Sequence, residues 1–98
     1  MFRLVSTDIF AKWLDGLRDR QAKARIGIRL ERMIAGNFGD AKPVGEGVSE
    51  LRIQYGPGYR VYFTKQGPMI VVLLCGGDKS TQGTDIERAK ALAKDWKE

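Results

Sequence analysis

Four residues in the second half of the chain have the types and spacing needed to handle a phosphate ester. Glu50 and Arg52 lie two positions apart in one short alternating run, and Arg60 and Tyr62 repeat that spacing in the next. Two arginines can grip a phosphate through forked, charge-assisted hydrogen bonds. They can also stabilise the extra negative charge of a pentavalent phosphoryl transition state. A nearby carboxylate can take the proton from a ribose 2′-hydroxyl, and a tyrosine can stack on a base. The plain alternative is a solvated sheet face, because one side of a half-exposed sheet is normally polar.

The elements that must position these residues are legible from periodicity. From Val48 the apolar pattern has period two: Leu51, Ile53 and Tyr55 alternate with Glu50, Arg52 and Gln54. Gly56-Pro57-Gly58 is a turn signal, after which Tyr59, Val61 and Phe63 alternate with Arg60, Tyr62 and Thr64. If both apolar sets share the buried face, the polar sets share the other. A three-residue loop at 56–58 sets Arg52 opposite Tyr62 and Gln54 opposite Arg60, with Glu50 on the same face.

Around this hairpin the chain reads as β-α-α-β-β-β-α. Residues 2–5 form a first strand, and Ser6-Thr7-Asp8 supplies helix-capping chemistry. Ile9, Phe10, Trp13, Leu14 and Leu17 follow at helical spacing, then Ile26, Leu30, Met33 and Ile34, with stop signals at Gly36 and Asn37. Whether one helix bends or two meet near residues 19–22 is left open by the pattern, and Ile28 falls off the apolar stripe. Met69 to Cys75 is a continuous apolar run, as in a central strand covered on both faces, and Gly76-Gly77 breaks it. Thr84 and Glu87 form a capping box for a last helix that turns Ile86, Ala89, Ala93 and Trp96 inward. The economical packing is an α+β domain over residues 1–98, an antiparallel meander with helices packed on it.

Two further features carry charge. Gly76-Gly77-Asp78-Lys79-Ser80-Thr81-Gln82 leaves the apolar strand and approaches a helix start, but it fails the P-loop pattern at Leu73 and Asp78. Lys79 can nonetheless reach an anion near the end of the meander. Arg18, Arg25, Arg29 and Arg32 are spaced to share one edge of a continuous helix. Residues 1–36 hold eight Lys or Arg against four Asp or Glu. The bland reading is a solvated helix face; the functional one is salt-sensitive contact with RNA.

Composition narrows the field. The chain has 98 residues, 17 Lys or Arg, 12 Asp or Glu, a net charge of +5 and a pI near 9.6. Such a surface favours polyanions. There is no histidine and a single cysteine, Cys75, so a Ser-His-Asp triad, a zinc site and an intrachain disulfide are not expected, nor is any metal or cofactor. The N-terminal segment lacks the apolar core of a signal peptide, and the longest apolar run is too short to cross a bilayer. A cytoplasmic protein with no membrane contact is expected.

Several segments resemble a known family. Glu50-Leu51-Arg52-Ile53, Gly56-Pro57-Gly58-Tyr59-Arg60-Val61-Tyr62-Phe63, Cys75-Gly76-Gly77-Asp78-Lys79-Ser80-Thr81-Gln82 and Asp85-Ile86 are similar, in order and spacing, to the phage-derived addiction module killer proteins. These belong to the RelE/ParE toxin superfamily, close to its HigB-like branch. The resemblance implies a RelE-like fold and a cognate antitoxin, usually of helix-turn-helix type, through which the complex would bind operator DNA. It also implies cleavage of mRNA in the ribosomal A site, by attack of a 2′-oxygen on the adjacent phosphorus.

By position, the resemblance implies that Arg60 grips the scissile phosphate. Glu50 would be the base, Arg52 a charge stabiliser, and Lys79 an electrostatic aid to the leaving oxygen. Tyr62, Gln54 and the four arginines of the stripe would contact RNA. The chain departs from many RNA-cleaving members in having no Tyr, His or Phe after Phe63. Two other expectations share the resemblance: a ParE-like inhibitor of DNA gyrase without catalysis, and a remnant that binds its antitoxin and tunes transcription.

Overall fold

The computed structural model describes residues 1–96. Strand β1 (Arg3–Ser6) leads into helix α1 (Asp8–Asp15), whose first turn is capped by the Thr7 hydroxyl, which accepts from the Phe10 N–H at 3.0 Å. Helix α2 (Arg20–Ile34) starts afresh on Asp19, whose carboxylate accepts from the N–H groups of Gln21 and Ala22. These side-chain acceptors satisfy amide groups that a helix start otherwise leaves unpaired. The question left open near residues 19–22 is thereby answered: two helices meet there.

Strands β2 (Ala41–Gly45), β3 (Val48–Ile53), β4 (Tyr59–Gln66) and β5 (Ile70–Asp78) form an antiparallel meander. Strand β1 pairs parallel to β5, giving a five-stranded sheet in the order β1-β5-β4-β3-β2. A short 3-10 turn (Lys79–Thr81) joins β5 to helix α3 (Gln82–Asp95). The α+β class holds, and the arrangement is consistent with a RelE-like fold. No helix among the described residues is long and apolar enough to cross a membrane.

The sheet has a core on each side. On one side, Leu51, Ile53, Val61, Phe63, Val71 and Leu73 pack under Phe10, Ile26 and Met33. On the other, Val48, Tyr62, Val72, Leu74 and Cys75 pack under Ala89, with Ile86, Ala93 and Trp96 partly buried beside them. Each large aliphatic side chain so buried contributes about 1.5–3 kcal/mol relative to exposure. The apolar run of β5 is covered on both faces, as its composition implied. A bulge between Tyr62 and Phe63 in the β4–β5 pairing lets Leu74 and Cys75 fall on the same side.

Four details differ from the sequence reading. Strand β2 is an addition: Ala41-Lys42-Pro43-Val44-Gly45 carries a proline and a glycine and has no alternation, yet an edge strand tolerates both. Its turn to β3 uses Glu46 and Gly47, both at positive φ (53° and 79°), which suits a two-residue hairpin loop.

The β3–β4 register is shifted by two residues. Arg52 pairs with Arg60, and Glu50 with Tyr62, because the loop runs from Gln54 to Gly58. Tyr55 has left the ladder: its hydroxyl donates to Asp19 at 2.9 Å, and its ring lies under Arg25 at 4.7 Å. The even parity of the pairing is kept, so the shared faces survive the shift.

Gly76 and Gly77 continue β5 instead of ending it. A side chain on Gly76 would overlap the Trp13 ring, and one on Gly77 the Asp85 carboxylate. These glycines admit close packing from α1 and α3 rather than a turn. Lastly, α3 begins at Gln82, so Thr84 and Glu87 lie inside the helix and do not cap it. The side-chain cap comes earlier, where the Asp78 carboxylate accepts from the Ser80 N–H and starts the 3-10 turn.

Candidate phosphate-binding site

Glu50, Arg52, Arg60 and Tyr62 share the α3 side of the sheet. Leu51, Ile53 and Val61 alternate with them and pack on the opposite side. Glu50 is the hub. Its Oε1 accepts from Arg52 Nε at 3.2 Å, and its Oε2 lies 3.7 Å from Arg60 Nε. The same Oε2 accepts from the Tyr62 hydroxyl at 3.3 Å and from Gln82 Nε2 at 2.7 Å.

Burial separates these residues into two kinds. Glu50 is 1% exposed and Tyr62 fully buried, whereas the Arg52 side chain is 33% exposed and that of Arg60 12%. This bears on two expected roles. A carboxylate with both oxygens engaged and no open face is not placed to take a proton from a substrate. A tyrosine inside the core has no ring face for a base. The reason is α3, which covers this side of the sheet and sends Gln82 to Glu50. Burial, with Glu50 next in size, pushes the Tyr62 phenol well above its ordinary value.

What remains accessible is a pair of guanidinium groups held side by side. A buried anion between two cations offsets their repulsion and fixes their directions. Arg60 is fixed a second time, through donation from Nη1 to the Gly58 carbonyl at 2.7 Å. The Lys79 N–H reaches the Pro57 carbonyl at 3.4 Å, tying the 3-10 turn to the same loop, and the Lys79 side chain is exposed. Gly58 lies between them: a Cβ there would stand 3.1 Å from Arg60 Nη1 and 3.5 Å from Lys79 Cβ. Lys79 therefore belongs to the neighbourhood of Arg60. Asp78 also borders this corner, its carboxyl held below the usual range chiefly by the Ser80 hydroxyl.

Gln54 and the arginine stripe are not brought to this pair. Gln54 lies beyond the end of β3, exposed, with its amide 3.3 Å from Asp40. Arg18 falls between α1 and α2, outside either helix, so the stripe is interrupted. Arg25, Arg29 and Arg32 do share an edge of α2, but α2 packs on the opposite side of the sheet from α3. Arg29 Nη1 donates to the Arg52 carbonyl at 2.7 Å and so reaches only the backbone of the strand.

Gln82 is the residue that sequence reasoning overlooked. Its segment reads, by composition, only as an approach to a helix start. Its contact with Glu50 depends on how α3 crosses the sheet, which no local spacing encodes. The one local signal is its place directly after a capped turn.

The fold and this corner define a small basic α+β protein that presents two oriented arginines beside a lysine. Residues 12–97 match the phage-derived protein Gp49-like family, and the chain belongs to it. An uncharacterized protein of Haemophilus influenzae is 50% identical over 93 residues, which cover 95% of this chain and 94% of that protein. Membership of the Gp49-like family is compatible with the toxin role in a toxin–antitoxin pair.

Proposed function

We propose that this protein is the toxin of a type II toxin–antitoxin system, of the HigB-like branch of the RelE/ParE superfamily, acting in the cytoplasm as a ribosome-dependent mRNA endonuclease. The observation that carries the reading is the Arg52–Arg60 cross-strand pair, aligned by the buried Glu50. Arg60 and Arg52 bind the non-bridging oxygens of the scissile phosphate and stabilise the charge that builds there. Lys79 adds positive charge on the leaving side. The ribose 2′-oxygen gives its proton to water and bonds to phosphorus; the bond to the 5′-oxygen breaks, and that oxygen takes a proton from water. The products are a 2′,3′-cyclic phosphate and a 5′-hydroxyl. Glu50 acts as a positioning residue for both arginines. A helix-turn-helix antitoxin neutralises the protein, and operator DNA is bound only through that complex.

Expression without the neighbouring reading frame, followed by mapping of mRNA 5′ ends, tests this. New in-frame cuts are expected, and Arg60→Ala should remove them while the protein stays folded. Intact mRNA under growth arrest would overturn the reading. The burial of Glu50 and Tyr62 favours one alternative, a ParE-like gyrase inhibitor that binds without catalysis. Gyrase-dependent DNA breaks with intact mRNA would establish it.

A further inference from the structure

A second basic surface lies on the far side of the sheet from the arginine pair. A groove of about 290 Å³ runs between α2 and the end of β3, lined by Arg25, Ile28, Arg29, Arg32, Ile53 and Gln54. Its makeup is unusual for a solvated helix face. Ile28 is 49% exposed, one of few large apolar side chains left in solvent among the described residues. Arg25 and Arg32 flank it at one turn on either side, and both are exposed. Arg29, between them, forms part of the groove wall and is itself engaged, its Nη1 donating to the Arg52 carbonyl at 2.7 Å.

An apolar centre ringed by arginines is the composition of a protein-binding hot spot. The same arginines would attract RNA, but the groove presents no free aromatic face for an unstacked base. Tyr55, the aromatic ring beside it, already carries Arg25 on its face and gives its hydroxyl to Asp19. The charge complementarity therefore selects carboxylates, and the exposed isoleucine selects an aliphatic side chain between them.

We infer that this groove docks an acidic amphipathic segment of a partner protein, with a leucine-type side chain on Ile28 and carboxylates on Arg25 and Arg32. On the toxin reading the segment belongs to the neutralising antitoxin; the chemistry of the groove does not depend on that reading. Because the groove and the arginine pair occupy opposite sides of the sheet, such a partner would leave Arg52 and Arg60 uncovered.

The test uses the full chain and three labelled probes: an acidic peptide of about twelve residues with leucines at helical spacing, its lysine-for-glutamate counterpart, and a single-stranded RNA of about the same length. Binding is followed by fluorescence anisotropy and located by amide chemical-shift mapping. The acidic peptide should bind saturably, weaken as salt rises, and perturb residues 25–32 and 53–54. Arg32→Glu and Ile28→Ala, both at exposed positions, should each weaken it about tenfold with the unfolding midpoint unchanged. RNA binding tighter than the peptide at these same residues would overturn the inference. So would peptide shifts elsewhere, binding of the lysine counterpart, or no saturable binding. Cleavage is read separately, from mapped mRNA 5′ ends, so this inference and the toxin reading fail separately.

Discussion

Gln82 donates a hydrogen bond to Glu50 at 2.7 Å, joining the first residue of α3 to the middle of β3 across 32 positions of chain. The contact makes the last helix part of the arginine corner. If α3 moved, Glu50 would lose a donor and gain solvent, and the alignment of Arg52 and Arg60 would loosen.

Glu50→Gln keeps the side-chain size but removes the charge facing both arginines. Neutralising one member of a buried ion pair costs about 3–5 kcal/mol, and partial exposure of Arg52 places this case near the lower end. The urea midpoint should fall accordingly. A loss below about 1 kcal/mol would show that charge does not hold the pair together.

Arg60→Lys retains the positive charge and loses the planar fork, along with the donation to the Gly58 carbonyl. Cleavage measured as mapped cuts per transcript should drop about 10²–10³-fold, the usual cost of removing one oriented donor from a transition state. Far-UV circular dichroism should not change. Cleavage at the level of the unaltered protein would mean that the fork plays no part.

Cys75 gives the alkaline limb of stability. Burial, with a smaller contribution from Asp85, pushes its thiol up to about 11 from an ordinary 9.0. A raised folded value means that the native state holds the proton more tightly. The stabilisation is therefore complete below about pH 9 and is lost as pH rises toward 11. Its size is about 3 kcal/mol by linkage. The Tyr62 phenol, raised in the same way, extends the loss above pH 10. Thermal midpoints should fall across this window, and Cys75→Ala should flatten the part between pH 9 and 10. In the folded protein at pH 8, thiol reagents should leave Cys75 unmodified; reaction at the rate of a free thiol would contradict its burial.

Gly76→Ala should be destabilising although alanine is the smallest change available. Its Cβ would overlap the Trp13 ring, which packs between Phe10 and Tyr59 at centroid separations of 5.8 and 6.3 Å. Overpacking of this kind costs about 1–3 kcal/mol. Tryptophan fluorescence should shift, because Trp13 must move to make room. An unchanged emission spectrum and midpoint would show that the contact is slack.

The alternation of Leu51, Ile53, Val61 and Phe63 with Glu50, Arg52, Arg60 and Tyr62 determined that the polar set would share a face. A strand has period two, and a shift of register by two residues leaves that outcome intact. The apolar run ending at Cys75 determined a doubly covered central strand in the same way, and Thr7 was legible within its capping triplet because capping is local chemistry, whereas the Asp19 cap emerged only with the structure. Strand β2 escaped because its proline and glycine suit only an edge, and being at an edge is a property of the whole sheet.

Solvent access at the charged face was decided only by tertiary structure. Period two says which residues point together, not whether a helix later lies over them. Docking of α3 buried Glu50 and Tyr62, left the arginines as the accessible chemistry, and recruited Gln82. Packing also separated Arg25, Arg29 and Arg32 from that corner, since α2 and α3 took opposite sides of the sheet. These are long-range choices, made by how the apolar surfaces of distant segments fit, and a linear pattern holds no record of them.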